Sequence, residues 1–229
     1  IVNIVGEHAT HHVAYDAPLT ADIEGIARPV SDWVRTSADS KSVASDAAEA
    51  IAAARTHPGA ISTLILPADT AWTDAAGVAA VPTQENPETV SEAAVENCTQ
   101  ALQSGEPAML LLGGKALRAP TLENASRISV HSNAAIRSEL MSARTERGAG
   151  RVGIERIPYV VDEAVKVLDG IRHLILVGAK PPVAFFAYPD KPSLLIPQDC
   201  EVHVLATAEQ DIEDALERLC DSVGAQSTL

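Results

Sequence analysis

Along the chain, short β-branched or leucine-rich runs alternate with longer stretches in which apolar residues return every three or four positions. Residues 1–5 (Ile-Val-Asn-Ile-Val) form the first run and stop at Gly6. An apolar run bounded by a turn residue predicts a buried strand. Residues 22–26 predict a helical turn that stops before Pro29, and residues 30–36, which alternate and contain Trp33, predict a second strand. Residues 40–56 are alanine-rich, with Val43, Ala47, Ala50, Ile51 and Ala54 on one side. They predict a helix that begins at a serine cap, Ser40 or Ser42, and ends at His57-Pro58-Gly59. Residues 61–66 predict a third strand, closed by Pro67. Residues 70–87 contain Pro82 and Pro87, show no periodicity and read as a linker.

A second series follows. It comprises a helix over 88–104, a strand over 108–112 closed by Gly113-Gly114, and a helix over 117–127 with Pro120 in its first turn. Next come a short strand over 128–131, an irregular stretch over 138–158, a helix over 160–168 and a strand over 173–177 closed by Gly178. Short strands over 194–196 and 202–205 and a helix over 209–223 complete the pattern. Strands alternating with helices predict an α/β fold, with parallel sheets carrying helices on both faces. The expected organisation is one unit over 1–69, a linker over 70–87 and a second unit over 88–229.

Composition narrows the class. Of 229 residues, 46% are hydrophobic and 21% charged, enough to bury a core. Two Trp, three Tyr and two Phe leave that core to aliphatic side chains, which suits parallel α/β better than an aromatic-cornered sandwich. The net charge of −14 argues against a nucleic-acid partner, whose phosphates require clustered Lys and Arg. No apolar run approaches the ~20 residues of a membrane span. Cys98, Cys200 and Cys220 are unpatterned and expected to be reduced, buried thiols, and no signal peptide precedes the first strand; both point to the cytoplasm.

Candidate chemistry is sparse. His8, His11 and His12 follow the first strand, with Glu7 and Asp16 beside them. They read as a hydrogen-bonded loop cluster, a ligand-lining loop or a metal site, and no second cluster of ligands can be identified elsewhere. A ligand-lining loop has a physical motive, because parallel sheets bind ligands beyond the carboxyl ends of their strands. Gly148, Gly150 and Gly153 match the dinucleotide fingerprint in letters, but neither a strand before them nor a helix start after them is predicted. Gly113-Gly114-Lys115 follows a strand; its glycines either turn the chain or contact a nucleotide.

Taken in order, these motifs resemble the thiamine-diphosphate-dependent enzymes, in the acetolactate synthase and benzoylformate decarboxylase branch. The resemblance rests on Gly6, Thr10-His11, Asp16-Ala17, Asp22-Ile23 and Arg28-Pro29, then on Pro58-Gly59 and the run from Leu64 to Asp69. It continues with residues 107–114 and with Ile175-Leu176-Val177-Gly178-Ala179, so that it covers most of the chain. It implies the carboxyl-terminal half of a pyrimidine-binding domain over 1–69 and a Rossmann-like central domain over 88–229. The implied parent is an acetolactate synthase large subunit-like decarboxylase or carboligase of 2-oxo acids, using thiamine diphosphate and Mg²⁺ and forming a homo-oligomer. His11 and His12 are then the expected catalytic groups, Glu7, Gly113 and Gly114 the expected cofactor contacts, and no metal ligand is expected. Pro18-Leu19-Thr20 and Lys115 depart from the family pattern, which bears on substrate choice and makes flavin unexpected. The first residue, Ile1, and the lack of a Gly-Asp-Gly motif suggest an interior fragment, inactive alone. The alternative is a stand-alone, non-catalytic nucleotide-binding or interaction module.

Overall fold

A computed structural model describes residues 1–225. The chain divides into two compact units, Ile1–Asn86 and Pro87–Leu229.

The first unit holds β1 (Val2–Glu7), α1 (Ile23–Ala27), β2 (Trp33–Thr36), α2 (Val43–Arg55) and β3 (Ser62–Pro67). Its sheet is parallel, in the order β1-β3-β2. The register runs from Val2↔Ser62 to Glu7↔Pro67 on one side and from Trp33↔Ser62 to Thr36↔Ile65 on the other. The central strand β3 is buried through Ser62, Thr63, Leu64 and Ile65. Asp22 caps α1 by accepting from the Gly25 amide, which supplies a partner to an otherwise orphaned donor. Glu7 and Pro67 end adjacent strands, so the loops that follow them emerge side by side.

The second unit holds α3 (Glu92–Gln103), β4 (Ala108–Leu112), α4 (Ala119–Ser132), β5 (Ala135–Ser138), α5 (Val161–Leu168), β6 (His173–Val177), β7 (Glu201–Ala206) and α6 (Ile212–Val223). Its strands are all parallel, in the order β5-β4-β6-β7. Strand side chains alternate between faces, and both faces are dry. Leu110, Leu112, Ile175 and Val177 pack with α3, α4 and α6. Met109, Leu111, Leu174 and Leu176 pack with Val161, Ala164 and Leu168 of α5. The α/β class with parallel sheets and covering helices is therefore the observed architecture. Burying each such side chain contributes about 1.5–3 kcal/mol before conformational entropy is set against it.

Three local expectations differ. Residues 128–131 are not a strand but the last turns of α4. Leu122, Ala125 and Ile128 recur every three residues and are buried together, while Val130, which a strand would place beside Ile128, is 75% exposed. The helix stops at Asn133, left-handed at φ 61°, and the strand follows as β5. Leu194 makes only an isolated antiparallel bridge to Val183, and Leu195 serves as a core residue rather than part of a strand. Cys98 and Cys220 are buried, but Cys200 is partly exposed. Among the described residues, no helix is long and apolar enough to cross a membrane.

Candidate functional site

The loop after β1 is not helical. His12 and Val13 donate their amides to the Ala9 carbonyl at 2.7 and 3.2 Å, and a short 3₁₀ turn occupies Val13–Tyr15. This curl brings the His8 and His12 rings to 5.5 Å, edge to face, with the His11 and His12 rings 6.5 Å apart. His8 Nε2 lies 3.0 Å from the Pro18 carbonyl oxygen, which pins the loop to its own return. The Glu7 carboxylate turns back to accept the His8 amide at 2.7 Å.

The loop after β3 supplies the other wall. Asp69 accepts from the Thr10 amide at 2.9 Å and from the Thr10 hydroxyl at 2.5 Å, which ties the two loops together. Those hydrogen bonds, with His11 nearby, hold the Asp69 carboxyl below its ordinary range. Trp72 lies with its ring 6.2 Å from that of His11. Between the loops lies a cavity of about 640 Å³, lined by Glu7, His8, His11, His12 and Trp72 over a floor that includes Gly6 and Leu66. That volume is in the range of a small-molecule or cofactor cleft. The cavity brings together three of the expected site residues: Glu7, His11 and His12. Its floor is apolar, and its walls offer imidazole nitrogens that can give or accept a proton.

Gly113 and Gly114 lie in the other unit, at the carboxyl end of β4. β4 is flanked by β5 on one side and β6 on the other, so the strand order reverses there, the place where open α/β sheets take ligands. A Cβ on Gly113 would stand 2.4 Å from the Gly178 carbonyl oxygen, and Gly114 has φ +52°. Backbone packing alone therefore accounts for glycine at both positions. Beside them Glu139 accepts the Gly114 amide, and burial pushes its carboxyl above the ordinary range. Next to it is a cavity of about 290 Å³ that includes Glu139, Tyr159, Lys180 and Phe185. Gly148, Gly150 and Gly153 lie in a loop between β5 and α5, with no strand leading into them.

No family profile matches the chain. It is 47% identical over 224 residues, 97% of its length, to a Mycobacterium tuberculosis protein named "Putative acetolactate synthase large subunit IlvX". The chain is a homologue of that protein. It spans 42% of that relative's length. Its fold matches, with a TM-score of 0.79 at 17% identity, a protein from Mycobacterium smegmatis described as a "putative thiamin diphosphate-dependent enzyme"; all of this chain and 46% of that one are covered. The thiamine diphosphate-dependent 4-hydroxybenzoylformate decarboxylase of Rhodococcus jostii RHA1 matches over the same shares, with a TM-score of 0.76 at 16% identity. The chain thus shares its fold with thiamine-diphosphate-dependent enzymes.

Sequence reasoning missed Trp72, placed in the linker, and the Thr10–Asp69 clasp. One signal for Trp72 was available: it is one of two tryptophans and stands five residues beyond the end of a strand. The clasp joins residues 59 apart, and no local pattern marks it.

Proposed function

We propose that the chain supplies part of a thiamine-diphosphate-dependent enzyme that decarboxylates or ligates 2-oxo acids. Residues 1–69 would act as half of the pyrimidine-binding domain and residues 88–229 as the central domain. The observation that carries the reading is the 47% identity to the acetolactate synthase-like relative, sustained over 97% of the chain. The cavity between the loops after β1 and β3 supports it independently.

The residues present fit one end of the cofactor. An apolar floor with imidazole and carboxylate walls suits the organic ring system and a keto group. The lining holds no lysine or arginine for a diphosphate and no carboxylate pair for Mg²⁺, so these residues do not fit the cofactor's diphosphate end. Thiamine diphosphate, when bound, supplies a carbon nucleophile and an electron sink for loss of CO₂. His11 and His12, both exposed at the cavity, would donate a proton to the oxygen of the reacting keto group and take it back. Glu7, held by the His8 amide, would accept a hydrogen bond from the cofactor. The Thr10–Asp69 clasp would keep the two loops at fixed separation, and Trp72 would restrict water at the mouth. A homo-oligomer is part of the same proposal.

The test is an assay of 2-oxo acid consumption with thiamine diphosphate and Mg²⁺. The complete gene product is expected to turn over, and His11→Ala or His12→Ala to lower the rate by about 10²–10⁴-fold, the usual contribution of a positioned acid–base group. The 229-residue chain alone is expected to be inactive. No consumption by the complete product overturns the proposal.

A second reading, a non-catalytic nucleotide-binding module, is favoured by one observation: the cavity beside Gly113 and Gly114 lies where the strand order reverses and includes Tyr159, Phe185 and Lys180. Calorimetry of the chain with adenine nucleotides tests it, and absence of heat counts against it.

A further inference from the structure

The opposite end of the second unit's sheet carries a different group of side chains. β6 begins at His173 and β7 at Glu201, and the register pairs His173 with Glu201 and Ile175 with His203. Residues two apart on a strand share a face, so His173, Glu201 and His203 project from the same side of neighbouring strands. α3 covers that side, leaving a cavity of about 440 Å³ whose lining includes Asn97, Cys98 and all three residues. One ligand atom from each of the three lies within 4.8 Å of the other two.

The distances suit a metal ion. His173 Nδ1 and His203 Nε2 are 3.1 Å apart. Two imidazole nitrogens bound tetrahedrally to one zinc ion at about 2.0–2.1 Å stand about 3.3 Å apart, so the pair needs only a few tenths of an ångström of adjustment. Glu201 Oε2 is 4.0 Å from His173 Nδ1, and its side chain is 70% exposed, so a rotation about its own bonds brings the carboxylate into the same sphere. The far side of the His173 ring is already held, with Nε2 3.1 Å from Glu106 Oε2. A carboxylate behind a ligating histidine fixes its tautomer and raises its basicity, which is the usual outer partner of a zinc-bound imidazole. Arg172, 3.9 Å from Glu106 and paired with Asp199, is the nearby cation. Burial pushes the Cys98 thiol up to about 12, which leaves it a neutral wall of the cavity.

We propose that His173, His203 and Glu201 form a three-ligand site for a first-row divalent cation, zinc above all, with Glu106 orienting His173 from behind. Without metal, the two rings face each other through a nitrogen–nitrogen contact of 3.1 Å. With metal, His203 carries its proton on Nδ1 and turns Nε2 to the ion. The fourth position opens into the cavity under α3. The site lies at the amino ends of β6 and β7, at the opposite end of the sheet from Gly113 and Gly178. It depends on nothing in the proposed catalytic reading. Its mechanical effect is to staple the edge strand β7 to β6.

Calorimetric titration of the metal-free 229-residue chain with Zn²⁺ alone, at neutral pH in a non-chelating buffer, tests the site. One equivalent is expected to bind and to raise the thermal midpoint. His203→Gln and, at the exposed position, Glu201→Gln are each expected to abolish or sharply weaken that equivalent. Circular dichroism should show the fold retained in both. Glu106→Gln is expected to weaken it by about 10–100-fold. A chain with His8→Ala, His11→Ala and His12→Ala is expected to keep it, which separates this site from the loop histidines. Absence of Zn²⁺ binding overturns the proposal, as does an equivalent that survives His203→Gln and Glu201→Gln or disappears with the loop histidines.

Discussion

In the first unit the buried apolar side chains are four alanines, Leu64, Ile65 and Pro67. In the second unit they form two continuous clusters, one on each face of the sheet. Each sheet is parallel and alternates strand with helix, but different interactions hold the two units. In the first unit much of the buried material is polar: Asp46 accepts from Arg35 at 2.9 Å and from Ser37 at 2.8 Å, and Ser62 and Thr63 lie in the central strand. Arg35 also meets Glu49 at 2.7 Å and stacks over Trp33 at 4.9 Å. Meanwhile Ile4 on β1 is 67% exposed. The comparison teaches that the first unit sets a buried carboxylate with matched polar partners beside a small aliphatic core, and that such partners tolerate exchange less well than the close-packed aliphatic side chains of the second unit.

The sharpest test of that difference is a matched pair of truncations. Leu110→Ala, in the middle of β4, should cost about 2–5 kcal/mol, as cavity-forming changes in a close-packed core do. Ile4→Ala should cost well under about 1 kcal/mol, because its side chain already meets water. Urea unfolding of the chain measures both, and comparable losses would erase the contrast.

Next in size is Asp46→Ala, which should destabilise the first unit by about 2 kcal/mol by leaving Ser37 and one face of Arg35 without their acceptor. Hydrogen exchange should show the loss in β2, α2 and β3 and leave β4 and β6 protected. A uniform loss across both units would break the assignment.

The smallest effect separates two carboxyls. Asp69 titrates low because Thr10 donates to it twice, and Glu139 titrates high because it is half-buried. The signs are opposite. Asp69 contributes stability that is present above its unfolded value near 3.8 and is lost as pH falls through its lower folded value. Glu139, raised in the fold, contributes stability present below its unfolded value near 4.5 and lost as pH rises through its folded value. Thr10→Val should bring Asp69 back toward the ordinary range and leave Glu139 in place. Carbon-detected NMR titration of the two side chains reads both, and an Asp69 that does not move would remove the clasp.

Much of the fold was legible where a local pattern coincided with a structural need. The runs at 61–66, 108–112 and 173–177 are rich in aliphatic residues because their strands lie inside their sheets, and they became β3, β4 and β6. Residues 128–131 misled because Ile-x-Val suits a strand and a helix alike at that length, and only packing against Leu122 and Ala125 decides between them. The loop histidines could be placed at a strand's carboxyl end from order alone. Their ring spacing and the wall supplied by Trp72 could not, because both depend on β1 and β3 becoming neighbours across some 60 residues of chain.

By itself, the sequence determined the α/β class, the alternation of strand and helix, the aliphatic character of the second unit's core and the position of the histidine loop. Each of these follows from periodicity, turn residues and the reach of adjacent side chains. Tertiary structure alone decided that Asp69 clasps Thr10, that Gly113 must yield to the Gly178 carbonyl, and that Glu106, His173, Glu201 and His203 meet at one edge of a sheet. Those meetings depend on strand order and register, which bring distant residues within a few ångströms, and a side chain's chemistry depends on its neighbours in space rather than in sequence.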